Sequence, residues 1–85
     1  MDIGVELSLY PLREDFVPAI HEFLGRLGQV EALRVSTNSM STQVFGAYEL
    51  VMQTLHRELR TTFEQLHNSA GKAVFVMKVI GPLAS

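Results

Sequence analysis

LRVSTNSMSTQVFGAYELVM, Leu33 to Met52, changes rhythm twice within a short span, and those changes decide the fold. Leu33 and Val35 alternate with Arg34 and Ser36. Met40, Thr42 and Val44 then alternate with Ser41, Gln43 and Phe45. Both runs have the period of two that marks strands with one apolar face. Between them stand Asn38 and Ser39, whose short polar side chains bond their own backbone and favour turns. Two short strands with a tight link predict a hairpin. Gly46 breaks the alternation, and Tyr48, Met52, Leu55, Leu59, Phe63 and Leu66 follow at helical spacing as far as a terminator at Asn68 to Gly71.

The same two rhythms recur on either side. Upstream, Ile3, Val5, Leu7 and Leu9 alternate with Gly4, Glu6, Ser8 and Tyr10 until Pro11 ends the strand. Asp15 is placed to cap a helix with Pro18 in its first turn, and Phe16, Ile20, Phe23, Leu24 and Leu27 form its apolar stripe up to Gly28. Downstream, KAVFVMKVI, Lys72 to Ile80, reads as a strand that is apolar on both faces apart from its two lysines, followed by Pro82. The order βαββαβ predicts an α+β, ferredoxin-like sandwich in one domain, residues 1–85: a four-stranded antiparallel sheet with both helices on one face. The first and third strands are then central. The other face of the sheet carries Glu6, Ser8 and Tyr10, then Ser41, Gln43 and Phe45, with Val74 and Val76 beside Lys78. Such a mixed polar and apolar surface suits an oligomer interface, a ligand floor, or both.

Composition narrows the function. At 85 residues the chain buries only roughly 60–65% of its unfolded surface, yet 47% of its residues are hydrophobic, which points to a partner chain. It has no cysteine, so thiolate chemistry and disulfides are excluded and a cytoplasmic location fits. The N-terminal MDIGVELSLY lacks the basic and apolar regions of a signal peptide, and no apolar run approaches the roughly 18 residues of a membrane span. A formal net charge of -2, with scattered basic residues and no basic aromatic strand motif, argues against nucleic acid as partner.

Other chemistries find little support. His56 and His67 are eleven positions apart, about 16 Å along one helix, and His21 is on the other helix, so they cannot converge on one ion within a chain. There is no nucleophile elbow, glycine-rich phosphate loop or acid–base pair, so neither catalytic residue nor cofactor is expected. The polar run from Thr37 to Gln43 remains. Turn and strand preference explain Asn38, Ser39 and Thr37. Ser41 and Gln43 are different, because they share a face with Ser8 and Glu6. Small hydroxyls, one amide and one carboxylate satisfy the donors and acceptors of a flat polar heterocycle, and Tyr10 and Phe45 offer stacking surface. The candidate ligand site is therefore Glu6, Ser8, Tyr10, Asn38, Ser39, Met40, Ser41, Thr42, Gln43 and Phe45. Two alternatives stay open: an enzyme of the dimeric α+β barrel type using Glu6 as its acid or base, and a metabolite-sensing regulatory module.

VELSLYPLRED at Val5 to Asp15, PAIHEFLGRL in the first helix, RVSTNSMSTQVFGAYELVM at Arg34 to Met52 and VFVMKVI at Val74 to Ile80 resemble the YkoF-type thiamine and hydroxymethylpyrimidine binding proteins. TNSMSTQVFG is the most specific part. The resemblance implies a non-catalytic binder of thiamine or its pyrimidine precursor, in vitamin salvage or transport and with a functional link to a transporter. Gln43, Ser41, Ser39 and Thr42 would meet the aminopyrimidine, Glu6 would pair with a protonated ring nitrogen, and Phe45 or Tyr10 would face the thiazolium. The proteins that name the family carry the unit twice in one chain. This chain carries it once, so the resemblance implies a homodimer or homotetramer joined through the open sheet face. The turn from Gly28 to Ala32 is also shorter than that family's glycine-containing loop.

Overall fold

The structure, a computed structural model, describes residues 1–12, 17–68 and 71–84. Its elements run β1 (Asp2–Pro11), α1 (Val17–Gly28), β2 (Arg34–Thr37), β3 (Thr42–Ala47), α2 (Tyr48–Asn68) and β4 (Ala73–Leu83). The four strands form one antiparallel sheet in the order β2-β3-β1-β4, so the first and third strands are central as the alternation predicts. The cap expected at Asp15 and the stripe position Phe16 lie outside the described residues.

The alternation of β1 becomes its two faces. Ile3, Val5 and Leu7 are buried with Val44 of β3, Phe23 and Leu27 of α1, and Val51 and Leu55 of α2. Gly4, Glu6, Ser8 and Tyr10 take the opposite face, in register with Ile80, Lys78, Val76 and Val74 of β4. β4 carries on past Ile80 to Leu83, where one extra residue enters opposite β1 between the Gly4–Ile80 and Asp2–Leu83 pairs. It lies at the sheet edge, the position where a strand tolerates proline.

Two expectations need correction. Met40 does not face the core: it is 81% exposed. The amide Oδ1 of Asn38 accepts the backbone N–H of Met40 at 2.7 Å and of Ser41 at 3.0 Å, which holds both in the turn, and β3 starts only at Thr42. The buried stripe of α2 is also rotated from the expected one. Its buried positions are Val51, Thr54, Leu55, Glu58, Thr62 and Leu66, whereas Tyr48 and Phe63 are exposed. Both stripes have helical spacing; the polar one wins where α1 supplies a partner. Arg26 donates from Nε to Glu58 and from Nη2 to Thr62 Oγ1 at 3.0 Å, so Glu58 and Thr62 are buried without loss of hydrogen bonding. Phe63 still packs, its ring edge-on to Phe75 of β4 at 5.5 Å.

Candidate functional site

The hairpin between β2 and β3 is built by Asn38. Besides its side-chain bonds, its backbone N–H donates to the Ser41 carbonyl at 3.0 Å, so the loop from Asn38 to Ser41 is closed by one residue. The loop is anchored to β1 twice. Ser8 Oγ donates to the Met40 carbonyl at 3.3 Å, and Ser41 Oγ donates to Glu6 Oε2 at 3.2 Å. Thr37 and Thr42, paired across the hairpin, share a hydrogen bond between hydroxyls at 3.1 Å. Thr42 is buried, so this partner holds the hydroxyl that the sequence offers to a ligand.

Two adjoining hollows result. One, of about 290 Å³, lies where the hairpin loop meets α1 at the end of β1. Ser8, Tyr10 and Asn38 to Thr42 line it together with Leu7, Leu9, Ile20, Phe23 and Leu24. The other, of about 280 Å³, lies on the open sheet face, lined by Glu6, Gln43, Phe45, Lys78 and Ile80 over Gly4. The ten candidate residues are thus split, with Glu6, Gln43 and Phe45 around the second hollow and the other seven around the first. The Ser41–Glu6 hydrogen bond joins the two sets.

Gly4 shapes the second hollow. A Cβ there would come within 2.7 Å of Phe45 Cε1 and 3.2 Å of Ile80 Cγ2, so the absent side chain lets the Phe45 ring lie across β1 toward β4. Arg34, opposite Phe45 on β2, holds its guanidinium 5.0 Å from the centroid of that ring. Glu6 is half exposed and lies 4.0 Å from Lys78 Nζ, a loose pair in water that leaves the carboxylate free to accept other hydrogen bonds. Gln43 is half-buried beside it. The face therefore offers a carboxylate acceptor, an amide that both donates and accepts, a hydroxyl, and an aromatic ring bearing a cation.

The site expected from the sequence left out Gly4, Arg34 and Ile80, as well as the apolar wall from α1. A glycine within a period-two strand is the signal that could have pointed to the first of these. His21, His56 and His67 are all exposed, and among the described residues no group of histidines or acidic residues is arranged to hold a metal. No described helix is long and apolar enough to cross a membrane.

No protein-family model matches the chain, and no curated protein matches it by sequence. Solved structures do match. A Thermotoga maritima protein provisionally assigned to thiamine biosynthesis or salvage superposes with a TM-score of 0.81 at 14% identity, covering 96% of this chain and 85% of its own. A Streptococcus pneumoniae protein gives 0.84 at 15% identity, with 98% and 89% covered. A Bacillus cereus domain of unknown function gives 0.72 at 14% identity, with 96% and 77% covered. At these identities the likeness establishes the ferredoxin-like fold.

Proposed function

We propose that this chain is a cytoplasmic, non-catalytic binder of thiamine or its hydroxymethylpyrimidine precursor. The observation that carries the reading is the grouping of Glu6, Ser41 and Gln43 on one sheet face next to Phe45. An aminopyrimidine presents an exocyclic amine and ring nitrogens in one plane. Gln43 can accept from the amine, and Glu6 can take a protonated ring nitrogen through a charge-assisted bond. Because Arg34 already provides a cation to Phe45, the more open ring for a thiazolium is Tyr10, which is 54% exposed. The provisional thiamine assignment of the Thermotoga maritima protein, which has the same fold, supports this choice of ligand class.

An open face cannot exclude water from a small ligand, so the reading includes a second copy packed over it as a homodimer, or as part of a homotetramer. The same pairing covers Val74, Val76 and Ile80, large apolar side chains that are 45%, 49% and 63% exposed on that face. Bound ligand would then serve salvage, or delivery to a transporter. Isothermal titration of the purified protein with thiamine and with hydroxymethylpyrimidine tests the reading. Micromolar or tighter binding of either, weakened at least tenfold by Gln43→Ala, is the expected result.

A further inference from the structure

We propose that the free edge of β4 pairs with β4 of a second copy, antiparallel and about a two-fold axis at Met77, so that two sheets join into one of eight strands. This goes beyond the packing of open faces and does not depend on the ligand. The two edges of the sheet differ sharply. β2 is four residues long and reads Arg-Val-Ser-Thr, whereas β4 is eleven residues long and is hydrogen-bonded on one side only. Its exposed apolar side chains lie on both faces, with Met77 41% and Val79 55% exposed on the helix side. A long apolar edge of this kind attracts another strand unless it is blocked. Among the described residues, the charge within the body of β4 is Lys78 alone.

The register follows from parity and charge. Residues directly opposite in an antiparallel pair share a face, so a two-fold pairing that keeps both helix layers on one side must place one residue opposite its own copy. Centring on Lys78 sets two cations opposite each other, which is destabilising. Centring on Val76 sets both Val74 opposite Lys78 and Ile80 opposite Lys72, where centring on Met77 leaves a single such pairing. Centring on Met77 sets Phe75 opposite Val79, Val74 opposite Ile80, and Val76 opposite the aliphatic stem of Lys78. Pairing then runs from Ala73 to Gly81 and stops at Pro82, which has no N–H to donate. At about 3.4 Å per residue this is a contact ~30 Å long. The pairing draws on apolar side chains of both faces, Val74, Val76, Met77, Val79 and Ile80, each at least 41% exposed in the single chain.

The chain has no cysteine, so a single introduced thiol reads the register directly. Two Met77→Cys residues on the axis would have Cα atoms about 4.5–5.5 Å apart, within disulfide range. Packing through the open faces instead leaves them on the outer sides of both sheets. Val79→Cys is the control, since in this register its two copies are offset by about 14 Å along the strands. Mild oxidation is expected to give a covalent dimer with Met77→Cys and little or none with Val79→Cys. Met77→Lys, which places two ammonium groups on the axis, is expected to halve the assembled mass in sedimentation. A Met77→Cys chain that stays uncrosslinked, equal crosslinking of the two cysteine variants, or an unchanged mass for Met77→Lys would overturn the proposal. Titration with thiamine is read separately, so loss of ligand binding alone bears only on the proposed function.

Discussion

Asn38 and Gly4 show how much a single position sets. Asn38 Oδ1 accepts two backbone N–H groups that would otherwise point into water or compete for ladder partners. Asn38→Ala is expected to cost about 1–2 kcal/mol in urea unfolding and to free Met40 and Ser41 from their fixed positions. Gly4 is constrained from above: any β-carbon meets the Phe45 ring. Gly4→Val is expected to cost about 1–3 kcal/mol and to change the environment of Phe45 in NMR, whereas an unchanged ring would show that the ring does not lie over β1. The role of Asn38 as a turn former was legible in the sequence, because a short amide between two alternating runs has few other uses. That of Gly4 was not, because its partner Phe45 is contributed by another strand and becomes a neighbour only in the folded sheet.

At the scale of the elements, the strands follow their alternation closely because a strand has only two faces and the apolar set chooses one. A helix has a continuum of faces, and there the reading slipped. Tyr48, Met52, Leu55, Leu59, Phe63 and Leu66 form a fair stripe, yet the helix turns Thr54, Glu58 and Thr62 inward beside Val51 and Leu55. Hydrophobicity cannot anticipate this, because the reason is Arg26, on α1 and far off in sequence. Removing one member should therefore hurt more than removing both. Glu58→Ala is expected to cost about 2–3 kcal/mol, somewhat below the roughly 3–5 for a fully buried pair because Arg26 keeps some contact with water. Replacing Arg26 by Met and Glu58 by Leu together is expected to recover most of that loss in the same urea titration, since well-packed apolar pairs often match buried ion pairs. A double variant as unstable as the single one would show that the polar bonds, not the avoidance of an unpaired charge, hold the helices together.

The whole molecule was legible in outline: the order of elements, the central strands and the bare sheet face follow from the two periodicities. The division of the candidate site into two hollows did not, since it depends on where the hairpin loop folds against β1 and α1. Ser41 belongs to the loop, and through Glu6 it reaches the open face, so the polar run serves both hollows. If a second copy closes the site, sedimentation at micromolar concentration should give a dimer or larger species, and a stable monomer would contradict the closure. The central claim is ligand binding, and isothermal titration with thiamine and hydroxymethylpyrimidine tests it most directly. The account predicts micromolar or tighter binding of at least one of them, weakened at least tenfold by Gln43→Ala and by Ser41→Ala. Absence of heat with both ligands, or binding that neither substitution alters, would contradict it.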